Sequence, residues 1–591
     1  MDKDFKLSKK NVKPKRALLY IFSLFKPFWK TIIFVIIFSL TSTLASVLIP
    51  QTLQIAIDTN IPAKDIAGLQ NTSLFFIGLV AIFFITSVFQ VNLSGKISQK
   101  ALFNLRKNLF KKLQDLPIAF FNQNKIGDIE IRISSNVENI NRFFSEGVIR
   151  IINIFVSLIG FMIMMWLLNA KLTIVVIVSL IIFILYLNFQ GKLLRNKQKK
   201  ALDVEGEFSS FVQEILNGFP IIKIFNKQDS FKEIFQIKNK KYYSESLKVI
   251  ALSSVSDGFL PLLQILSGSI IIYLGLTQLN EGVITSGQFV AFFSYLVLFF
   301  RRFEGIGNLW TTIQSGIAAA QRILELFQLE SNIVTKIKNP IDKPIQGKIE
   351  FKNVYFSYED NVPVLKDIDL LVPAGKTIAI VGPTGGGKTS FVSLIARLYD
   401  PNSGEIKIDD IDLRDWDLKH LRESIGYLLQ DSFFFEDSII NNLRYDSHSN
   451  LSEDEVLKYF KDFNVESIFS KLSDGLNTII KADSLSQGQR QILALIRLII
   501  RNPKVIILDE ATANIDTKTE KILIDVLDKI KKGKTTFVIA HRLSTIFNAD
   551  EILLIQNNSI IEKGTHESLL DKRGRYYEIY SKFSTKQAII T

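Results

Sequence analysis

Residues 382–390 read GPTGGGKTS. Four glycines surround one lysine, directly after TIAIV (377–381), a run of β-branched and apolar residues that predicts a buried strand. Without a Cβ in the way, the backbone at Gly382, Gly385, Gly386 and Gly387 can turn tightly and aim its N–H groups at phosphate oxygens. The helix expected to follow adds its positive N-terminal dipole. In this G-x-x-x-x-G-K-T spacing, Lys388 reaches the outer phosphates and the Thr389 hydroxyl is placed on Mg²⁺. Gly382, Pro383, Thr384, Gly385, Gly386, Gly387, Lys388, Thr389 and Ser390 are therefore the expected ATP-binding loop. A glycine-rich turn alone is weak evidence; the full spacing between a strand and a helix is specific.

The rest of the chain must accommodate a strong apolar bias. Of 591 residues, 47% are apolar and 47 are Phe; the mean hydropathy is +0.22. That composition points to membrane segments. Uncharged stretches long enough to span a bilayer lie at 31–57 and 66–95. Two more, 151–170 and 172–191, are separated by Lys171, and a last pair, 258–280 and 282–300, by Glu281. Six such stretches exceed what the core of an ordinary soluble protein holds.

The formal net charge is +13. Residues 1–16 hold seven Lys or Arg against two Asp, and more basic residues crowd 96–125 and 192–248 between apolar runs. This placement fits the positive-inside rule rather than a nucleic-acid groove. It predicts a cytoplasmic N-terminus, with residues 1–30 a basic tail and an interfacial segment. Gaps after spans one, three and five are short and face out; the two long basic gaps face in. Helical periodicity in 97–119 predicts that the spans continue into the cytoplasm, with turns expected near 124–133 and 205–220. Pro261 is expected to kink span five. Glu146, Asp257, Arg301, Arg302 and Glu304 lie near or within the bundle, at helix ends or along a solute path. The chain has no Cys, which excludes disulfides and thiolate metal sites.

Composition changes after the helix-like AAAQRILELFQLE (318–330). Pro340, Pro344 and Gly347 mark a linker, and short strands and helices then alternate. The expected organisation is a transmembrane domain over 31–325, a linker over 326–347 and an α/β nucleotide-binding domain over 348–591. VIILDE (505–510) predicts a buried strand ending in two carboxylates. Asp509 is placed to hold Mg²⁺ through water, and Glu510 to polarise an attacking water. TTFVIAH (535–541) predicts another strand, ending in His541, placed to hydrogen-bond near the γ-phosphate.

This ordered set of motifs resembles the ATP-binding cassette (ABC) exporters, over essentially the whole chain after the basic tail. The resemblance implies a half-transporter: a multi-domain membrane protein with an all-α six-helix transmembrane domain, long cytoplasmic helix extensions and a P-loop ATPase domain. Tyr358 in FKNVYFSYED matches the aromatic that stacks on adenine. Gln430 in IGYLLQD matches the glutamine that contacts Mg²⁺, and LSQGQ (485–489), with Ser486, Gln487, Gly488 and Gln489, matches the family signature. LDE (508–510) matches Walker B with its catalytic glutamate, ANID (513–516) the D-loop, and His541 the switch histidine. The implied catalytic set is Glu510, His541, Lys388 and Gln430; Thr389, Gln430 and Asp509 would hold Mg²⁺. Ser486 and Gly488 would aim a hydroxyl and amides at the γ-phosphate bound to the opposite subunit.

Three departures stand out. Gln487 replaces the second glycine of the commonest signature. TIIKADSLSQ (478–487) lacks the usual upstream Gly-Glu pair and is about two residues short, which bears on cross-talk with the opposite membrane domain and leaves hydrolysis intact. ANID replaces Ser-Ala-Leu-Asp, wording similar to the hydrolysis-competent half of some bacterial heterodimeric exporters. The resemblance implies a homodimer or heterodimer, leaning to the latter, in the cytoplasmic (inner) membrane, with drugs or lipids as amphiphilic substrate. A lipid flippase, a peptide exporter and a metal-chelate importer share the architecture. From other classes, a peripheral ATPase acting on nucleic acid is opposed by the six spans, and a nucleotide-gated channel or regulator by an intact Glu510.

Overall fold

The computed structural model describes residues 12–303, 306–330, 333, 340–359, 362–429, 432–445, 451–469, 474–481, 484–509, 517–540 and 546–588. They form two compact units. One contains Leu7–Gln114 and Ile126–Gln328; the other joins Asp115–Lys125 to Leu329–Thr591.

The first unit is helical. A short helix, Pro14–Phe25, buries Ala17, Ile21 and Phe25, one per turn, and has Pro at its start, where a missing N–H costs nothing. The apolar stretches of the sequence then become the helices Trp29–Ile55, Ile66–Gln114, Ile149–Leu168, Ala170–Ile224, Gln228–Asn280 and Ser286–Arg301. Among the described residues, five helical segments are long and apolar enough to cross a membrane, and Ser286–Arg301 is a shorter apolar helix of 16 residues. Only 17% of the apolar window of Ile66–Gln114 is covered by protein, a surface suited to hydrocarbon. At 49 residues that helix runs roughly 70 Å, against a hydrocarbon core of about 30 Å, so much of it projects beyond the bilayer. Along the projecting part, Ser98, Ala101, Leu102, Leu105 and Leu109 are buried at helical spacing.

Polar side chains join the helices inside the bundle and at its outward turns. The Tyr295 hydroxyl donates to the Val47 carbonyl at 2.6 Å, and Asn169 donates to Gln278 at 2.6 Å. Asn169 also caps Ala170–Ile224 by accepting from the Leu172 amide, so an Asn cap, with Lys171 just inside the helix, separates spans three and four. The Asp58 carboxylate accepts from the Gly287 amide at 2.7 Å and from the Thr285 hydroxyl.

The cytoplasmic turns are shorter than the expected stretches or displaced from them. Residues 126–133 are a helix, so only 124–125 at the start of 124–133 is non-helical, and a second break lies at 115–117. The expected break at 205–220 is absent: the helix runs through Gly218 and Pro220 to Ile224. The turn is made by Asn226 at φ 51°, a left-handed conformation that Asn tolerates. Pro261 likewise lies inside a continuous helix, Gln228–Asn280. Arg302 follows the last span with its guanidinium 5.9 Å from the Phe161 ring centre. Glu304 lies outside the described residues, as does the side chain of Asp257.

The second unit is α/β. An antiparallel sheet contains β1 (Ile349–Ser357), β2 (Pro363–Val372), β4 (Ser403–Ile408) and β5 (Ile411–Asp412), in the order β2-β1-β4-β5. A second sheet contains β3 (Thr377–Val381), β6 (Ile425–Leu428), β7 (Val505–Asp509), β8 (Thr535–Ile539), β9 (Glu551–Gln556) and β10 (Ser559–Gly564), in the order β10-β9-β3-β8-β7-β6. Strands β3, β6, β7, β8 and β9 pair in parallel; β3, β7 and β8 read as nearly continuous apolar runs because helices cover both faces. Ile341 and Ile345 pack against this core, where Phe391 is fully buried and stacks on Phe351 with ring centres 4.5 Å apart. Phe391→Ala is expected to cost about 3–5 kcal/mol of this unit's stability. The check is a lower thermal midpoint for the ATPase transition in calorimetry of the full chain.

Candidate functional site

The phosphate loop leaves β3 at Val381 and enters the helix Lys388–Ile395. Gly382, Gly385 and Gly387 have φ of 155°, 78° and 98°. A Cβ on Gly382 would lie 2.1 Å from the Ile555 carbonyl oxygen, and one on Gly387 would lie 2.9 Å from that of Val364. Glycine is therefore required both by dihedral and by space. Lys388 is buried, with its ammonium donating to the carbonyls of Gly382 and Pro383 at 3.0 and 2.9 Å. A cation is thus held at the centre of a turn of backbone amides and at a helix N-terminus, a cradle matched to phosphate.

Sheet register brings the second motif alongside. Ile380 of β3 and Asp509 of β7 both pair with Ile539 of the intervening β8. Asp509 is therefore two strand spacings from the start of the loop, roughly 10 Å, at the C-terminal edge of the parallel strands where α/β folds bind ligands. Tyr427, on the neighbouring β6, has its hydroxyl pushed up to about 12 by burial first and by the Asp509 charge second. The Thr389 hydroxyl and the Asp509 carboxylate are hard oxygen donors that suit Mg²⁺. Gln430, Glu510, residues 511–516 and His541 lie outside the described residues.

Tyr358 follows β1 and is 39% exposed. Its hydroxyl shares a 2.9 Å hydrogen bond with Ser390, which fixes the ring beside the phosphate loop with area left for a planar base. Edge-on to it, at 5.0 Å between ring centres, stands Tyr399. The Tyr399 hydroxyl accepts from the Asn122 side-chain amide at 2.8 Å. Burial pushes the Tyr399 hydroxyl upward, which the Asn122 hydrogen bond offsets only in part. Asn122 belongs to the short helix Ile118–Gln123, between Ile66–Gln114 and Ile126–Ile133. Two side chains thus join the nucleotide-side aromatic to the segment Asp115–Lys125 of the same unit. Neither Tyr399 nor Asn122 carries a sequence signal; they meet only through the fold.

The LSQGQ segment starts the helix Gln487–Arg501. Ser486 accepts from the Gln489 amide at 3.2 Å, and the Gln489 side chain accepts from the Ser486 amide at 2.8 Å. This capping box satisfies two orphan donors and still leaves the Ser486 hydroxyl proton to donate. Gly488 is buried, and Gln487 is half-buried.

The comparisons agree with this architecture. Residues 32–303 match the model of the ABC transporter transmembrane region, and residues 365–513 match the ABC transporter ATPase model. The chain belongs to the ABC transporter family: a multi-pass protein of the cytoplasmic membrane that couples ATP hydrolysis to transport. It is 33% identical to the uncharacterised ABC transporter ATP-binding protein YfiC of Bacillus subtilis, over 93% of this chain and 91% of that protein. It is 33% identical to the ATP-dependent lipid A-core flippase of Syntrophus aciditrophicus, over 84% of this chain and 82% of that protein. Against the flippase of the same name from Escherichia coli strain UTI89, the figures are 31%, 89% and 90%.

Gly387→Ala is expected to lower nucleotide affinity at least tenfold, read by fluorescence titration with an ATP analogue; retained affinity would contradict the loop geometry. Tyr399→Phe removes only the hydroxyl that holds Asn122. Amide exchange across 118–123 should accelerate by roughly two- to tenfold, the equivalent of one modest hydrogen bond.

Proposed function

We propose that this chain moves a lipid or lipid-like amphiphile across the cytoplasmic membrane, driven by ATP hydrolysis in a dimer of half-transporters. The observation that carries the substrate class is the similarity to lipid A-core flippases over 84–89% of this chain. The phosphate loop supplies the energy-converting half. Lys388 and the amides of Gly385–Thr389 hold the outer phosphates, and Tyr358 carries the adenine. Thr389, Asp509 and Gln430 hold Mg²⁺, which when bound neutralises charge on the transferring phosphoryl group. Glu510 polarises the attacking water, and His541 hydrogen-bonds near the γ-phosphate.

A dimer is supported by two features. Ser486 and Gly488, at a capped helix start, suit the phosphate held by a second subunit. The cytoplasmic tip between Ala170–Ile224 and Gln228–Asn280 exposes Leu216, Phe219, Ile221, Ile224 and Phe225, an apolar surface outside the bilayer that suits a protein partner. The ANID segment favours a heterodimer, which the mass of the purified assembly decides. ATP closes the two ATPase domains by binding the closed dimer better than the open one, and the cytoplasmic turns pass that closure to the spans.

The assembly reconstituted in sealed vesicles should move a fluorescent lipid between leaflets on addition of Mg-ATP. Glu510→Gln should retain ATP binding and lose nearly all turnover and flipping, and Lys388→Ala should weaken both binding and hydrolysis. Flipping that is independent of ATP, or turnover unchanged in Glu510→Gln, would overturn the reading.

A further inference from the structure

A cavity of about 630 Å³ lies in the membrane unit where Pro14–Phe25 turns into the first span. Its floor is Phe25, Val35, Ile97 and Phe144, all buried; Phe25 and Phe144 stack with ring centres 3.5 Å apart. Its rim is formed by Leu19, Phe22, Lys26, Trp29 and Ile33. These five positions follow one another at intervals of three and four residues, so they make one stripe along a nearly continuous helical path. Leu19, Phe22, Trp29 and Ile33 are 63, 45, 57 and 45% exposed. Among the described residues that line the cavity, Lys26 is the one that is charged. Lys30 stands beside it, its ammonium 5.9 Å from the Trp29 ring centre.

The dimensions and charge select an occupant. From Lys26 to Ser39, the deepest lining residue of the first span, is thirteen residues, roughly 20 Å of helix against about 15 Å for one leaflet's hydrocarbon. The slot is therefore as long as a single acyl chain. Lys26 and Trp29 mark its cytoplasmic mouth: Lys13, Lys15 and Arg16 precede them, and Trp sits at the lipid headgroup level. Among the described residues, none that lines the slot comes from the fourth, fifth or sixth span. We propose that this cavity is a resident site for an anionic phospholipid of the cytoplasmic leaflet, with one acyl chain in the slot and the phosphate against Lys26 and Lys30. The bound lipid fastens the Pro14–Phe25 helix to the first three spans and is distinct from cargo.

The test is native mass spectrometry of the delipidated full-length protein, titrated with phosphatidylglycerol or phosphatidylcholine. Wild type should bind phosphatidylglycerol about fivefold more tightly. Lys26→Glu, an exposed substitution, should remove that preference and leave phosphatidylcholine binding unchanged. Ile36→Trp, which fills the slot, should weaken both lipids at least fivefold. Inorganic phosphate in tenfold excess should displace neither. Equal wild-type affinities, unchanged binding in both variants or displacement by phosphate would overturn the site. Release of the phosphatidylglycerol on adding ATP would identify it as cargo and overturn its residence, while leaving lipid transport itself intact. Retention with ATP supports the proposal whether or not flipping is observed.

Discussion

The constraint on which the rest of the molecule depends is the backbone approach at Gly382 and Gly387. The chain leaves a buried parallel strand and must turn into a helix with its amides facing inward. Carbonyls of Ile555 and Val364 stand where side chains would otherwise be. That crowding fixes the loop against two neighbouring strands, and the Lys388 ammonium then closes the ring from within. Every other nucleotide-side feature takes its position from this turn. Ser390, one residue into the helix after Thr389, anchors Tyr358, and the shared partner Ile539 sets Asp509 alongside.

The membrane unit answers a different demand. Its helices expose most of their apolar surface, so hydrocarbon is the solvent that makes the fold stable. Cohesion between helices comes from packing of buried side chains such as Phe161, Met165, Phe292 and Leu296, with polar bonds such as Tyr295 to Val47 and Asn169 to Gln278 added. Helices of 49, 55 and 53 residues far exceed the bilayer, and the excess is what carries the membrane helices to the cytoplasmic turns. The turn at 115–125 is grouped with the ATPase unit, and Asn122 meets Tyr399 there.

The sequence by itself determined the division into an oily helical half and an α/β ATPase half. Uninterrupted apolar length is a property of composition, and the P-loop spacing is a local backbone requirement. Both are written in consecutive residues, and so are the strand ending at Asp509 and the capped helix at Ser486. The cytoplasmic turns were not legible in this way: the sequence reading puts a turn near 205–220, yet the helix continues through Gly218 and Pro220 to a left-handed Asn226. Only the folded structure decided that turn, because continuous i→i−4 bonding along a 55-residue helix outweighs a local propensity of about 1–3 kcal/mol. It alone also decided the meeting of Asn122 with Tyr399, 277 residues apart, and the cavity behind Lys26. Contacts between distant segments leave no period or spacing in the chain, so they exist only once the helices and strands have packed.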